Sequence, residues 1–300
     1  MKQAFIHRKF SPAAKEMIDR INNILDDYRR QGFRLSLRQL YYQLVARAII
    51  PNSVKSYKRI GDLVSNARQA GLIDWDMIED RNRETLSVSH WDSPADIIDA
   101  AAASFRIDKW ADQPIHIEVM VEKDALSGVL VPVCRALDIS ITANKGYSSS
   151  STMYEIGQRL GERYCDDRKE ILVIYLGDHD PSGIDMTRDV EDRLTMYASV
   201  DEGVIEVVRL ALNYDQVQRW SPPENPAKQT DSRFSRYAAK FGESSWELDA
   251  IEPARLAQLV RDLVEERRDP ELWDEAVKRE ELHRQTLRDY AREYREDHHA

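Results

Sequence analysis

Two aspartates, Asp178 and Asp180, stand one residue apart in YLGDHDPSG, directly after an apolar run, and Glu122 closes an earlier apolar run in VEKDALSG. Open parallel sheets gather their ligands at the carboxyl ends of the strands. If the two runs are neighbouring strands, the three carboxylates converge on one hard cation, and oxygen-only ligands favour Mg²⁺ or Mn²⁺ over zinc. The competing reading has Asp180 capping the helix entered through Pro181, with Asp178 a solvated loop acid. A lone D-x-D favours that second reading; Glu122 at the matching strand end and the turn formed by Pro181 and Gly183 favour the metal. Lys123 beside Glu122 is a further candidate, as is His179, which is expected to face solvent or DNA rather than to ligate.

A second chemical grouping lies near the amino terminus, in Ser36-Leu37-Arg38-Gln39-Leu40-Tyr41-Tyr42. On a helix, Leu37, Leu40, Tyr41, Leu44, Val45 and Ala48 form the apolar stripe, which places Tyr41 in the core. Tyr42 lies beside the stripe, four residues after Arg38 and on the same face. A phenol with a pKa near 10 is a weak nucleophile at neutral pH, and a neighbouring cation favours both the phenolate and charge developing on phosphorus. The same heptapeptide also suits an ordinary amphipathic helix with a surface Arg–Tyr pair.

The elements that must position these groups follow from changes of hydrophobic period. Helices are expected over residues 11–31 (Ser11 cap, Pro12 first, Gly32 stop), from Ser36 to about Ile49, and over Ser53–Ala70 with Gly71 behind it. The third offers Lys55, Lys58, Arg59 and Asn66 on its polar face. LIDWDMIEDRNRETLSV then has the strand–turn–strand outline of a wing, so a winged helix-turn-helix is expected, with its third helix in a DNA groove. From Ile115 the pattern becomes that of a parallel α/β sheet: strands IHIEVMVE, ISITANK, ILVIYLG and VIEVVRLAL, with helices Ala125–Leu137, Ser150–Cys165 and Ser182–Tyr197 between them. A Pro-rich loop, SPPENPAKQ, and charged amphipathic helices follow. The expected fold class is therefore multi-domain α/β, divided as 1–100 (winged helix), 112–215 (metal-binding α/β) and 216–300 (helical).

Composition sets limits. Three hundred residues with 42% hydrophobic and 32% charged residues describe a soluble globular chain of about two domains. There is no apolar run of membrane-spanning length and no signal-type start, and Cys134 and Cys165 have no metal spacing, so a reduced, cytoplasmic setting is expected. The net charge of −10 argues against a polyanionic partner, but it is unevenly spread. Residues 1–72 carry 14 Lys and Arg against 5 Asp and Glu, a net of +9, and the remainder carries −19. The basic front is the part suited to DNA.

VEKDALSG, the following apolar strand and GDHDPSG together resemble a Toprim domain, in the form found in the topoisomerase VI A subunit and the meiotic double-strand-break transesterase. GYSSSSTMYE is similar to the segment before the D-x-D strand of that family, and SLRQLYY to its Ser/Thr-x-Arg-x-x-aromatic-Tyr pattern, although Gln39 stands where the family has an acid. The resemblance spans roughly Ser11 to Leu212. It implies a nucleoid-associated, type IIB topoisomerase-like enzyme in which Tyr42 attacks double-stranded DNA and becomes linked to the 5′ side of the break. Arg38 would assist, and Glu122, Asp178 and Asp180 would hold Mg²⁺ or Mn²⁺. It further implies a homodimer in which the tyrosine of one protomer meets the Toprim domain of the other. Strand passage would need a separate GHKL-type ATPase subunit, since this chain has no glycine-rich ATPase motif. FGESSWELDAIEP resembles the acidic segment after the Toprim core; Glu247 and Asp249 are expected there as helix-start acids. Two other readings are carried: a DNA-binding winged-helix protein with a regulatory or degenerate Toprim domain, and a Toprim nuclease that uses water.

Overall fold

The computed structural model describes residues 1–79, 88–143 and 149–298. Helix α1 spans Pro12–Arg30, with Ser11 accepting the Ala14 amide and the expected Pro at its start. Strand β1 (Leu35–Ser36) leads into α2 (Leu37–Ala46), where Ser36 and Gln39 form a reciprocal capping box. Helix α2 ends three residues earlier than the apolar pattern suggests. Ala48 turns left-handed (φ 54°), and the Ala48 and Ile49 amides donate back to Val45 and Leu44, a Schellman closure. Helix α3 (Val54–Gln69) packs with α1 and α2 around Ile21, Leu25, Leu40, Leu44, Ile60 and Val64.

After α3 the outline differs from a hairpin in its described part. Trp75–Met77 form a single 3-10 turn, and β2 (Ile78–Glu79) pairs in parallel with β1. The rest of the expected wing, residues 80–87, lies outside the described residues, as do 144–148, which end the second expected strand and begin GYSSSSTMYE. Helix α4 (Pro94–Ser104) lies against the long carboxyl-terminal helix.

The centre is a four-stranded, wholly parallel sheet formed by β3 (Ile115–Val121), β4 (Ser140–Ala143), β5 (Glu170–Leu176) and β6 (Ile205–Ala211), in the order β4-β3-β5-β6. Helices α5 (Ser127–Ala136), α6 (Ser150–Cys165) and α7 (Pro181–Ala198) connect the strands. Alternate residues of β5 feed two different cores: Leu172, Ile174 and Leu176 enter one, Ile171, Val173 and Tyr175 the other. Burial on both faces is why this strand reads as an uninterrupted apolar run. The fold is thus mixed α/β with a parallel sheet. Among the described residues no helix is long and apolar enough to cross a membrane.

Beyond the sheet come α8 (Tyr214–Trp220), β7 (Glu224–Pro226), α9 (Phe234–Phe241), β8 (Ser244–Trp246), α10 (Pro253–Arg267) and α11 (Pro270–His298). The Pro-rich loop is partly a strand, because β7 pairs antiparallel with β8. Ala250, just after β8, is buried in the amino-terminal core, so this segment joins the two halves of the molecule.

Candidate active site

Strands β3 and β5 are direct neighbours with Val121 opposite Leu176, so Glu122 and Asp178 leave the sheet side by side. Glu122 Oε2 accepts the Asp178 amide at 2.9 Å. A Cβ on Gly177 would stand 2.7 Å from that same oxygen, and one on Gly183 would stand 2.3 Å from the Asp178 carbonyl. Both glycines of GDHDPSG are therefore required by close packing. Asp180 caps α7, its Oδ1 accepting the Gly183 amide at 2.5 Å and the Ser182 hydroxyl at 2.9 Å. Its charge nonetheless acts on Glu122.

Arg209 of β6, which the sequence did not single out, staples this turn. Its guanidinium donates to the carbonyls of Gly177 (3.0 Å), Asp178 (2.5 Å) and Gly183 (2.9 Å) and to the Thr187 hydroxyl (2.9 Å). His179 is a correction. Rather than facing solvent or DNA it is 1% exposed, enclosed by the rings of Tyr214, Tyr237, Phe241 and Trp246. Its Nδ1 lies 2.8 Å from the Tyr237 hydroxyl. Its main chain exchanges two hydrogen bonds with Trp246, tying the Asp-His-Asp turn to β8. Burial, aided by the Arg209 charge, lowers the imidazole to about 4, so it is neutral at pH 7.

The tie to β8 delivers two more carboxylates. Glu247 and Asp249 do stand at a helix start, the single 3-10 turn Leu248–Ala250, but the Glu247 side chain does not cap it; the two flank Leu248, whose amide donates to Asp178 Oδ1 at 2.7 Å. Lys123 is the cation the group shares: its Nζ lies 2.6 Å from Asp178 Oδ2, in contact with Glu247 Oε2, and 3.6 Å from Asp249 Oδ2. Arg38 reaches the same carboxylates from α2, at 2.7 Å from Glu247 Oε2 and 2.7 Å from Asp249 Oδ2. The signal available in the sequence was the echo of D-x-D in Glu247-Leu248-Asp249, three strands later.

Tyr42 lies beside this network. A cavity of about 310 Å³ is lined by Tyr42, Arg38, Glu247 and Asn225, with Ser53 and Tyr57 from the start of α3. The Arg38 guanidinium carbon stands 5.8 Å from the Tyr42 ring centre. The expected preference for phenolate is reversed: burial first, then Glu247, raise the Tyr42 phenol above its ordinary value, and Arg38, Lys123 and the Asn225 amide only partly offset them. Burial outweighs the attraction of Arg38, whose charge is in turn shared with Glu247 and Asp249. Tyr41 packs in the core as expected, and its hydroxyl accepts the Ser53 amide at 2.7 Å and donates to Asn52 at 2.9 Å.

The electrostatics describe a surplus of negative charge. Burial, reinforced by Glu122 and Glu247, pushes Asp178 up to about 8 against the attraction of Lys123. Burial works against the Lys123 ammonium, yet Asp178, Asp249 and Glu247 hold it above its ordinary value. Among the described residues no three metal-ligating side chains are already drawn around one point. The donor set still fits a hard divalent ion: every candidate ligand is a carboxylate oxygen, and Oδ1 of Asp249, a residue 1% exposed, has no hydrogen-bond partner, the other oxygen being ion-paired with Arg38 and Lys123.

Of the expected DNA contacts, Lys55, Lys58 and Arg59 are exposed on α3, and α3 begins at the tyrosine cavity. Asn66 is half-buried and accepts from Arg8 at 2.6 Å, so it is engaged within the chain. No protein-family model matches the chain, and no curated protein matches it.

Proposed function

We propose that this protein is a topoisomerase VI A-like DNA-cleaving transesterase with Tyr42 as nucleophile. One observation carries the reading: α2 brings Tyr42 and Arg38 onto the carboxylates at the ends of β3 and β5, through Glu247 and Asp249. Glu122, Asp178 and Asp180, with Asp249, would hold Mg²⁺ or Mn²⁺. When bound, such an ion supplies positive charge against the reacting phosphodiester.

The residues of the chain account for the rest. A DNA phosphate entering the cavity competes with Glu247 and Asp249 for Arg38, and the guanidinium then faces the phosphorus where charge accumulates. Glu247, released from Arg38, accepts the phenol proton. The Tyr42 oxygen bonds to phosphorus, the bond from phosphorus to the 3′ oxygen breaks, and that oxygen takes a proton from water. The 5′-phosphotyrosyl link keeps the energy of the phosphodiester, so the step is reversible. Lys55, Lys58 and Arg59 hold the flanking duplex through its phosphates. Because Glu247 and Asn225 of the same chain close the tyrosine cavity, this geometry supports attack within one protomer rather than across a homodimer. An ATPase subunit, if strand passage occurs, remains a separate partner.

The nuclease reading differs only in its nucleophile, a water activated by the same carboxylates in place of Tyr42, whose raised phenol requires a base. Supercoiled DNA with Mg²⁺ or Mn²⁺, stopped with detergent, separates the two. Covalent protein on cut ends, lost in Tyr42→Phe and Asp178→Ala but kept in Tyr41→Phe, supports transesterification. Cutting that survives Tyr42→Phe establishes hydrolysis, and DNA retention without cutting establishes a binding module.

A further inference from the structure

A second cavity, of about 260 Å³, lies between α7 and α9, with Pro181, directly after the Asp-His-Asp turn, among its lining residues. Its floor is apolar, made by Ile184, Tyr237 and Phe241, and its rim carries Arg188, Arg233, Arg236 and Lys240. Asp185 is the one carboxylate among the lining residues, which gives the cavity a formal +3 within a stretch of chain whose net charge is −19. Arg188 and Arg233 share Asp185 and have further acidic neighbours in Asp192 and Asp231. Among the described residues no ion pair engages Arg236 or Lys240, which stand four apart on α9, both exposed.

The volume, just below the roughly 300–1,000 Å³ of small-molecule sites, suits one nucleobase, with sugar and phosphate left towards the open side. Aromatic side chains beneath a cationic rim match a nucleotide, with the base against the rings and the phosphate on the guanidinium and ammonium groups. The floor is also shared. Tyr237 and Phe241 are two of the rings that enclose His179, and Pro181 of the D-x-D-P turn lines the cavity. We infer that this cavity is a nucleotide-binding subsite backing directly onto the Asp178–Asp180 turn. Its occupant is either a free nucleotide or one nucleotide of a DNA strand. The inference rests on the DNA-cleaving reading only for the second of these sources.

The test is equilibrium binding by the full-length chain, in chelator, of a labelled oligothymidylate, with AMP as the free-nucleotide probe and an abasic oligonucleotide as the backbone control. The double charge reversal Arg236→Glu/Lys240→Glu, on exposed positions, is expected to weaken oligothymidylate or AMP binding at least tenfold. For the oligonucleotide, the slope of log affinity against log salt should fall by about 1.4, at roughly 0.7 per phosphate contact on a single strand. Arg236→Lys/Lys240→Arg should retain binding. AMP binding lost on charge reversal identifies a free-nucleotide site; oligothymidylate binding alone, lost in the same way, identifies a strand site. Unchanged affinity in the charge-reversed protein, equal affinity for the abasic strand, or no binding of either probe by the native chain overturns the inference. A parallel adduct assay keeps the two proposals apart: no Tyr42 adduct with an intact charge-reversal effect removes the cleavage reading and leaves the subsite standing.

Discussion

Replacing Lys123 with methionine keeps the length of the side chain and removes the ammonium that Asp178, Glu247 and Asp249 share. At an effective dielectric of about 20, the contacts at 2.6 Å and 3.6 Å correspond to roughly 6 and 5 kcal/mol of Coulomb attraction, before the cost of desolvating the charges. Removing one partner of a buried pair nets about 3–5 kcal/mol of lost stability, because the remaining charges stay buried. Arg38 still neutralises part of Glu247 and Asp249, which places the expected loss near the lower figure, about 3 kcal/mol, at pH 8. Asp178, pushed up to about 8, is substantially protonated at lower pH, so the loss should shrink at pH 6. Urea unfolding monitored by circular dichroism gives both values, and a cycle with Asp178→Asn isolates the pair. A loss under about 1 kcal/mol, or strict additivity of the two substitutions, would refute the idea that Lys123 holds the carboxylates together.

Arg209→Met leaves the Asp178 carbonyl without its donor, while the Gly177 carbonyl keeps the Leu212 amide, and should cost about 2 kcal/mol in the same unfolding measurement, at 1–3 kcal/mol per stranded group. Stability should also depend on pH in a particular way. Asp178 is raised from 3.8 to about 8, so its stabilising contribution is full below about pH 4 and is lost as pH rises to 8. His179 is lowered from 6.5 to about 4, so its contribution is present above pH 6.5 and is lost as pH falls towards 4. The two slopes oppose each other below pH 6.5 and leave a decline of up to about 1.4 kcal/mol per pH unit from 6.5 to 8, which Asp178→Asn should flatten. Finally, Lys55→Ala/Lys58→Ala/Arg59→Ala should weaken duplex binding and reduce its salt slope by about 2.7, read by fluorescence anisotropy at several salt concentrations.

Much of this arrangement could be read from local patterns. The apolar run at Ile171–Leu176 announced a strand covered on both faces, Pro181 after Asp180 announced a helix start, and the heptapeptide around Tyr42 announced a capped amphipathic helix. What escaped were groups whose meaning depends on the chain folding back. Arg209 reads as one charge in a strand until β6 lies beside β5. Glu247 and Asp249 read as helix-start acids until β8 pairs with the His179 backbone and carries them to Lys123. His179, between two acids, reads as polar, but four aromatic residues from three later elements enclose it. The phenol's raised pKa was likewise illegible, because it is set first by burial in the folded chain and then by Glu247, more than two hundred positions away.

The proposed role of Tyr42 requires a covalent bond between its phenolic oxygen and DNA. The direct measurement is peptide mass spectrometry on protein recovered from a Mg²⁺ or Mn²⁺ cleavage reaction after nuclease trimming. The expected result is a nucleotide remnant on Tyr42, attached through its 5′ phosphate. Cut DNA with 5′ ends free of protein, or a remnant on any other residue, would contradict it.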